Sequence, residues 1–136
     1  MDANAVPDRS FGSKGRVLVV DDEPNILELI RRKLEAHRFD VVTASSGEQA
    51  LECARSHTLS LILLDVALPV MDGFEILRRL RTQRDTSRIP VVMVSGQGDT
   101  NAILRSQDMK ALDYLIKPID LETLIETVER CANKAV

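Results

Sequence analysis

Leu61-Ile62-Leu63-Leu64-Asp65-Val66-Ala67-Leu68-Pro69-Val70-Met71-Asp72-Gly73 is the stretch that decides how this chain folds. Four apolar residues run straight into an acid, and Pro69 and Asp72-Gly73 then break the pattern. A short apolar run closed by turn residues reads as a strand buried on both faces. Asp65 leaves the carboxyl end of that strand. Taken alone, an Asp after a strand is most often a turn or cap residue, and the rest of the chain has to decide whether this one is functional.

Working outward, the same grammar recurs. Arg16-Val17-Leu18-Val19-Val20 reads as a strand that ends in Asp21-Asp22-Glu23, and Pro24 suits the first turn of a helix running to about His37. Ile26, Leu27, Ile30 and Leu34 share one face of that helix, with Glu28, Arg31, Arg32 and Glu35 outside. Phe39 to Ala44 is a weaker strand. Ser46 with Gln49, and Ser45 with Glu48, have capping-box spacing ahead of a helix over about Gly47 to His57. Phe74, Ile76, Leu77 and Leu80 form the apolar side of a third helix. Val91-Val92-Met93-Val94 is a fourth strand ending at Ser95, followed by a Gly96–Asp99 loop and a helix over roughly Thr100 to Met109 anchored by Ile103 and Leu104. Asp113-Tyr114-Leu115-Ile116 is a fifth strand ending at Lys117-Pro118. Asp120 caps a last helix with Leu121, Leu124, Ile125, Val128 and Cys131 at helical spacing. Strand and helix alternate five times, which implies an α/β fold: five strands in a doubly wound parallel sheet, with five helices on its two faces.

Size and charge narrow the function. The 136 residues fit one domain, with residues 1–14 a polar tail and 15–136 the folded unit. A net charge of −3 argues against direct nucleic-acid binding. No apolar run approaches the ~20 residues that cross a bilayer, so no membrane insertion is expected, and the N-terminus lacks a secretion signal. Cys53 and Cys131 have no CxxC spacing and read as buried thiols of a reducing compartment. The expected location is cytoplasmic.

Ligands of open doubly wound sheets bind beyond the carboxyl ends of the strands. Those ends carry Asp21 and Asp22, then Asp65, Ser95 and Lys117, from four strands. Three carboxylates in one crevice repel unless a cation sits among them. Oxygen-only ligands select a hard ion such as Mg²⁺. With Lys117 opposite and Ser95 as a donor, the set suits a phosphoryl group attacked by a carboxylate, and Asp65, central in the sheet, is the natural nucleophile.

Read together, Val19-Val20-Asp21-Asp22-Glu23-Pro24, Leu63-Leu64-Asp65 with Leu68-Pro69-Val70-Met71-Asp72-Gly73, Val94-Ser95-Gly96 and Asp113-Tyr114-Leu115-Ile116-Lys117-Pro118 resemble a response-regulator receiver domain of two-component signalling, similar to the chemotaxis receivers, over about Arg16 to Val136. The resemblance implies a flavodoxin-like sheet of order 2-1-3-4-5. It implies Asp65 as the phosphoacceptor, fed by a histidine kinase or histidine phosphotransfer protein. Asp22, Asp65 and the backbone carbonyl of Ala67 would hold Mg²⁺, with Asp21 assisting through water, and Lys117 would pair with the phosphoryl oxygens ahead of a cis bond to Pro118. Ser95 and Tyr114 would form a switch that alters a protein-interaction surface around the last helices, read by a downstream protein, in a monomer or a phosphorylation-dependent dimer. Such a domain is not an enzyme toward other substrates, since it catalyses only its own phosphorylation and dephosphorylation.

The sequence departs from the family pattern at Lys110-Ala111, where Gly-Ala is usual, at Ala67, which cannot position a hydrolytic water, and at the Gly96/Gly98 loop. Three rival readings are a non-switching docking module on the same fold, a Mg²⁺-dependent aspartyl phosphohydrolase and a flavin or nucleotide binder. Haloacid-dehalogenase-type hydrolases need a second Asp where Ala67 stands, and an anionic cofactor needs glycines and amides where this chain has acids. His37 and His57 read as surface residues.

Overall fold

The computed structural model describes residues 12–96, 98, 101, 104–105 and 108–134. Five parallel strands, β1 (Arg16–Val20), β2 (Asp40–Ala44), β3 (Leu61–Asp65), β4 (Val91–Ser95) and β5 (Asp113–Ile116), form one sheet in the order β2-β1-β3-β4-β5. β3 is central and every one of its residues is buried, as its unbroken apolar run requires. Alternation along the strands divides the core. Ile62 and Leu64 face a layer built with Ala50, Leu51, Ile76 and Leu77, while Leu61 and Leu63 face a layer containing Ile30, Leu34, Leu124 and Val128.

Those layers come from α1 (Pro24–Ala36), α2 (Gly47–Ser56), α3 (Gly73–Thr82) and α4 (Leu121–Cys131). Four helices thus have bounds among the described residues, against five expected. Half of the positions of the expected helix over Thr100 to Met109 lie outside the described residues; Asn101, Leu104, Arg105 and Asp108 are helical. Ile103 lies outside the described residues, and Leu104, expected as an anchor, is 60% exposed. Among the described residues of this segment, the Arg105 guanidinium lies 4.0 Å from the centroid of the buried Phe74 ring.

Polar side chains set the helix starts. Ser46 Oγ accepts from Gln49 N at 3.2 Å while Gln49 Oε1 accepts from Ser45 N at 2.9 Å, Asp72 Oδ1 accepts from Glu75 N at 2.9 Å, and Asp120 Oδ2 accepts from Thr123 N at 3.3 Å. Ser46→Ala is expected to lower stability by about 1 kcal/mol, read as a fall in urea midpoint at unchanged slope. An unchanged midpoint would mean that water replaces the cap without loss.

The expected tail, residues 1–14, lies outside the described residues up to position 11. Lys14 is tied into the fold: its N donates to Arg38 O at 2.9 Å and its Nζ pairs with Glu129 Oε2 at 2.5 Å. His37 and His57 are half-buried at helix ends rather than fully exposed. Lys110 takes up the turn before β5 in the left-handed region, φ 64°, which explains why glycine suits that place. Arg81 reaches across, donating from Nη2 to Lys110 O at 3.1 Å and from Nη1 to Ile89 O at 2.8 Å. No helix among the described residues is long and apolar enough to cross a membrane.

Candidate functional site

Parallel pairing places the strand ends side by side. Val20 pairs with Leu64, Asp65 with Val94, and Ser95 with Ile116. Ladder bonds continue one residue further, from Asp21 N to Ala44 O at 3.1 Å, Val66 N to Val94 O at 2.8 Å and Lys117 N to Ser95 O at 2.8 Å. The backbone therefore holds Asp21, Asp65, Ser95 and Lys117 at one edge before any side chain is considered.

The side chains then converge. One carboxylate oxygen from each of Asp21, Asp22 and Asp65 lies within 4.8 Å of the others, the one such acid cluster among the described residues. Asp21 and Asp65 are buried and Asp22 is exposed. The two buried acids are held alike. Asp65 Oδ1 accepts from Ala67 N at 3.1 Å and Asp65 Oδ2 lies 2.9 Å from Lys117 Nζ. Asp21 Oδ1 accepts from Glu23 N at 2.9 Å and Asp21 Oδ2 lies 3.1 Å from Lys117 Nζ. One ammonium thus pairs with two of the three clustered carboxylates, and negative charge is in excess. The donor set is oxygen-only with an exposed side, which fits a hard divalent cation that keeps waters or phosphate oxygens.

Electrostatics follow from burial and neighbours. Desolvation pushes the Asp65 carboxyl above the ordinary range, helped by the Asp21 charge and opposed by the bonds from Lys117 and Ala67. At Lys117 burial acts downward, but the bonds to Asp65 and Asp21 outweigh it, so its pKa lies above that of an ordinary lysine and it stays charged. Ser95 is 2% exposed and its Oγ is buried with no hydrogen-bond partner among the described residues. Buried orphan hydroxyls are rare and call for an explanation.

Of the expected site residues, Asp21, Asp22, Asp65 and Lys117 come together directly. Ser95 lies beside Lys117 in the ladder, and the bond between Lys117 and Pro118 is cis. Ala67 is exposed and reaches Asp65 through its N–H. Tyr114 is half-buried against the α2/α3 layer with Met109 and Ala111. Two contributors were not read from the sequence as such. A Cβ on Gly73 would stand 2.4 Å from Asp65 O, and one on Gly47 would stand 2.9 Å from Met71 Sδ. The Asp72-Gly73 pair signalled a turn, and only the fold reveals that Gly73 backs directly onto the acid's own peptide.

Residues 17–129 match the response regulator receiver domain. The chain belongs to the response regulator receiver family. This receiver is 36% identical over 113 residues to the response regulator ArlR of Staphylococcus saprophyticus, covering 83% of this chain and 50% of that protein. It spans about half the length of the curated relatives it matches. Among solved structures, the chemotaxis response regulator CheY4 of Vibrio cholerae superposes with a TM-score of 0.79 at 31% identity, covering 85% of this chain and 97% of that one. The Francisella response regulator 1452 receiver domain does so with a TM-score of 0.80 at 30% identity, covering 86% and 95%. Receiver domains work in two-component signalling with histidine kinases, and this chain shares that class and the CheY-like fold.

Proposed function

We propose that this receiver takes a phosphoryl group onto Asp65 from a histidine kinase or histidine phosphotransfer protein, and that the product alters a protein-interaction surface. The observation that carries the reading is the Asp65 carboxylate itself, buried at the strand edge and gripped by Lys117 Nζ at 2.9 Å and Ala67 N at 3.1 Å beside two further acids. A carboxylate oxygen attacks phosphorus, the P–O bond forms as the donor's N–P bond breaks, and the electron pair returns to the imidazole, which takes a proton from solvent. Lys117 pairs with phosphoryl oxygens as charge moves onto them. Asp22, Asp65 and the Ala67 carbonyl would hold Mg²⁺, with Asp21 assisting through water; when bound, the ion offsets the acid repulsion and the phosphoryl charge.

Ser95 supplies the report. Its unpartnered hydroxyl gains an acceptor once a phosphoryl oxygen is present, and Tyr114, half-buried one strand away, follows the vacated space. An apolar groove of about 430 Å³ adjoins Lys117, lined by Ile26, Leu29, Ile30, Pro118, Ile119 and Leu121, and suits the helix that carries the donor's histidine. The thiols of Cys53 and Cys131 pack on opposite faces of the sheet and are free, which fits a reducing cytoplasm. The chain acts on no other substrate in this reading.

Incubation with acetyl phosphate and Mg²⁺ is expected to add one acid-labile phosphoryl group, seen by intact mass. Asp65→Asn abolishes it, chelation of Mg²⁺ abolishes it, and Lys117→Ala slows it. Equal uptake by Asp65→Asn, or indifference to Mg²⁺, would sink the assignment.

A further inference from the structure

The acid pocket occupies the carboxyl ends of the strands, and the opposite edge of the sheet carries the reverse charge. A cleft of about 590 Å³ opens there between the connection from α2 to β3 and the connection from α3 to β4. Arg55, Arg84 and Arg88 line it with His57, against one acid, Asp85. The chain as a whole has a net charge of −3, so this local excess of cations runs against its composition.

The walls of the cleft are fixed from inside. Arg81 donates from Nη1 to Ser87 O at 3.2 Å and to Ile89 O at 2.8 Å, and the buried Thr86 donates from Oγ1 to Leu80 O at 2.7 Å. These bonds hold the connection that carries Arg84, Asp85 and Arg88. On the other wall, His57 N donates to Cys53 O at 3.1 Å, Ser60 N to Arg16 O at 2.8 Å and Asn133 N to Ser60 O at 3.0 Å. The arginine side chains stand outside this frame, and all three arginines are exposed. Arg55 pairs only along its own helix, with Glu52 at 3.1 Å, and the Arg84 guanidinium has no hydrogen bond or ion pair among the described residues. Exposed ion pairs add little to stability, so folding does not account for three guanidiniums at one cleft.

We propose that this cleft binds a small molecule carrying two or more phosphate groups. Guanidinium forks match phosphate oxygens in geometry and keep their charge at any physiological pH. A rigid frame places them without an ordering cost at the moment of binding. The volume lies within the range of small-molecule sites, roughly 300–1,000 Å³, and Leu59, Ile89 and Pro90 add apolar lining on which a nucleobase could rest. An extended polyanion fits less well, because the acidic remainder of the chain repels it. Binding here is independent of the phosphoacceptor reading, since Asp65 and Ser95 lie at the far ends of the strands that Ser60 and Pro90 lead into.

Isothermal titration calorimetry on the full chain tests this, at about 0.15 M salt to screen long-range attraction and with EDTA so that no cation draws phosphate to the acid pocket. The probes are ATP and tripolyphosphate, with adenosine and a hexaglutamate peptide beside them. One ATP per chain is expected to bind with a Kd on the order of 100 µM, and adenosine not at all. ATP binding more tightly than tripolyphosphate identifies a nucleotide as the ligand class; equal affinity identifies a bare polyphosphate. Arg84→Ala and Arg88→Ala each weaken binding roughly tenfold, the worth of one charged hydrogen bond. Asp85→Asn tightens it a few-fold. Arg32→Ala, exposed on α1 and outside the cleft, leaves it unchanged, as does Asp65→Asn. Urea midpoints of the cleft variants match wild type, so their losses are not unfolding. No saturable binding of either phosphate probe at millimolar concentration overturns the proposal. So does a loss in Arg32→Ala equal to that in Arg84→Ala, which would leave only diffuse charge. Tighter binding of the hexaglutamate peptide than of ATP overturns it in favour of an acidic protein partner.

Discussion

Gly73→Ala is expected to lower stability by about 2 kcal/mol and to slow phosphoryl uptake from acetyl phosphate. The added Cβ would lie 2.4 Å from Asp65 O, 2.9 Å from Val66 Cα and 3.0 Å from Asp65 C, all backbone atoms with no rotamer to retreat into. Alanine gains up to about 1 kcal/mol over glycine in a helix. Overpacking against fixed backbone costs roughly 1–3 kcal/mol, so the clash wins. Moving α3 away would stretch the bond from Gly73 N to Val66 O, now 2.9 Å. Moving β3 instead would displace Asp65 from Lys117. Urea unfolding reads the first effect and labelling rate the second. A wild-type midpoint together with a wild-type rate would show that the loop yields freely.

Asp65→Asn is expected to raise stability at pH 7 by about 1 kcal/mol. Burial, with Asp21 nearby, raises the folded-state carboxyl pKa above the ordinary aspartate value of 3.8. The folded chain then binds that proton more tightly than the unfolded chain, so ionisation weighs against folding. The penalty is absent below the unfolded pKa, grows as pH rises through it, and is complete above the folded one. The advantage of asparagine should therefore be present at pH 7 and disappear below about pH 4. Lys117 keeps a partner in the variant, Asp21 at 3.1 Å. Mg²⁺ should act oppositely: at about a hundred times its Kd it stabilises wild type by roughly 2.7 kcal/mol and the variant by less. A variant less stable than wild type at pH 7 without Mg²⁺ would show that the bond from Lys117 outweighs the burial of the charge.

Much of the site was legible because strand ends are local features. An apolar run that stops at Asp65, another at Asp21 and a third at Lys117 need only the alternation of strand and helix to be brought to one edge. The parallel register then holds them there through the bonds from Val66 N to Val94 O and from Lys117 N to Ser95 O. The fourth expected helix was less legible. Its few apolar residues left the anchor to guesswork, and Leu104 faces outward while Arg105 covers Phe74.

The sequence by itself determined the five strands, the caps at Ser46 and Asp120, and the acids and lysine at the sheet edge, because periodicity and turn chemistry act between near neighbours. Only the tertiary structure decided that one Lys117 ammonium is shared by Asp21 and Asp65, that Gly73 abuts the Asp65 peptide, and that Val70 is driven to positive φ with its side chain in solvent. Those depend on distances between segments far apart in the chain and on backbone angles that packing imposes, and no pattern of residue types along the Leu61–Gly73 stretch encodes them locally.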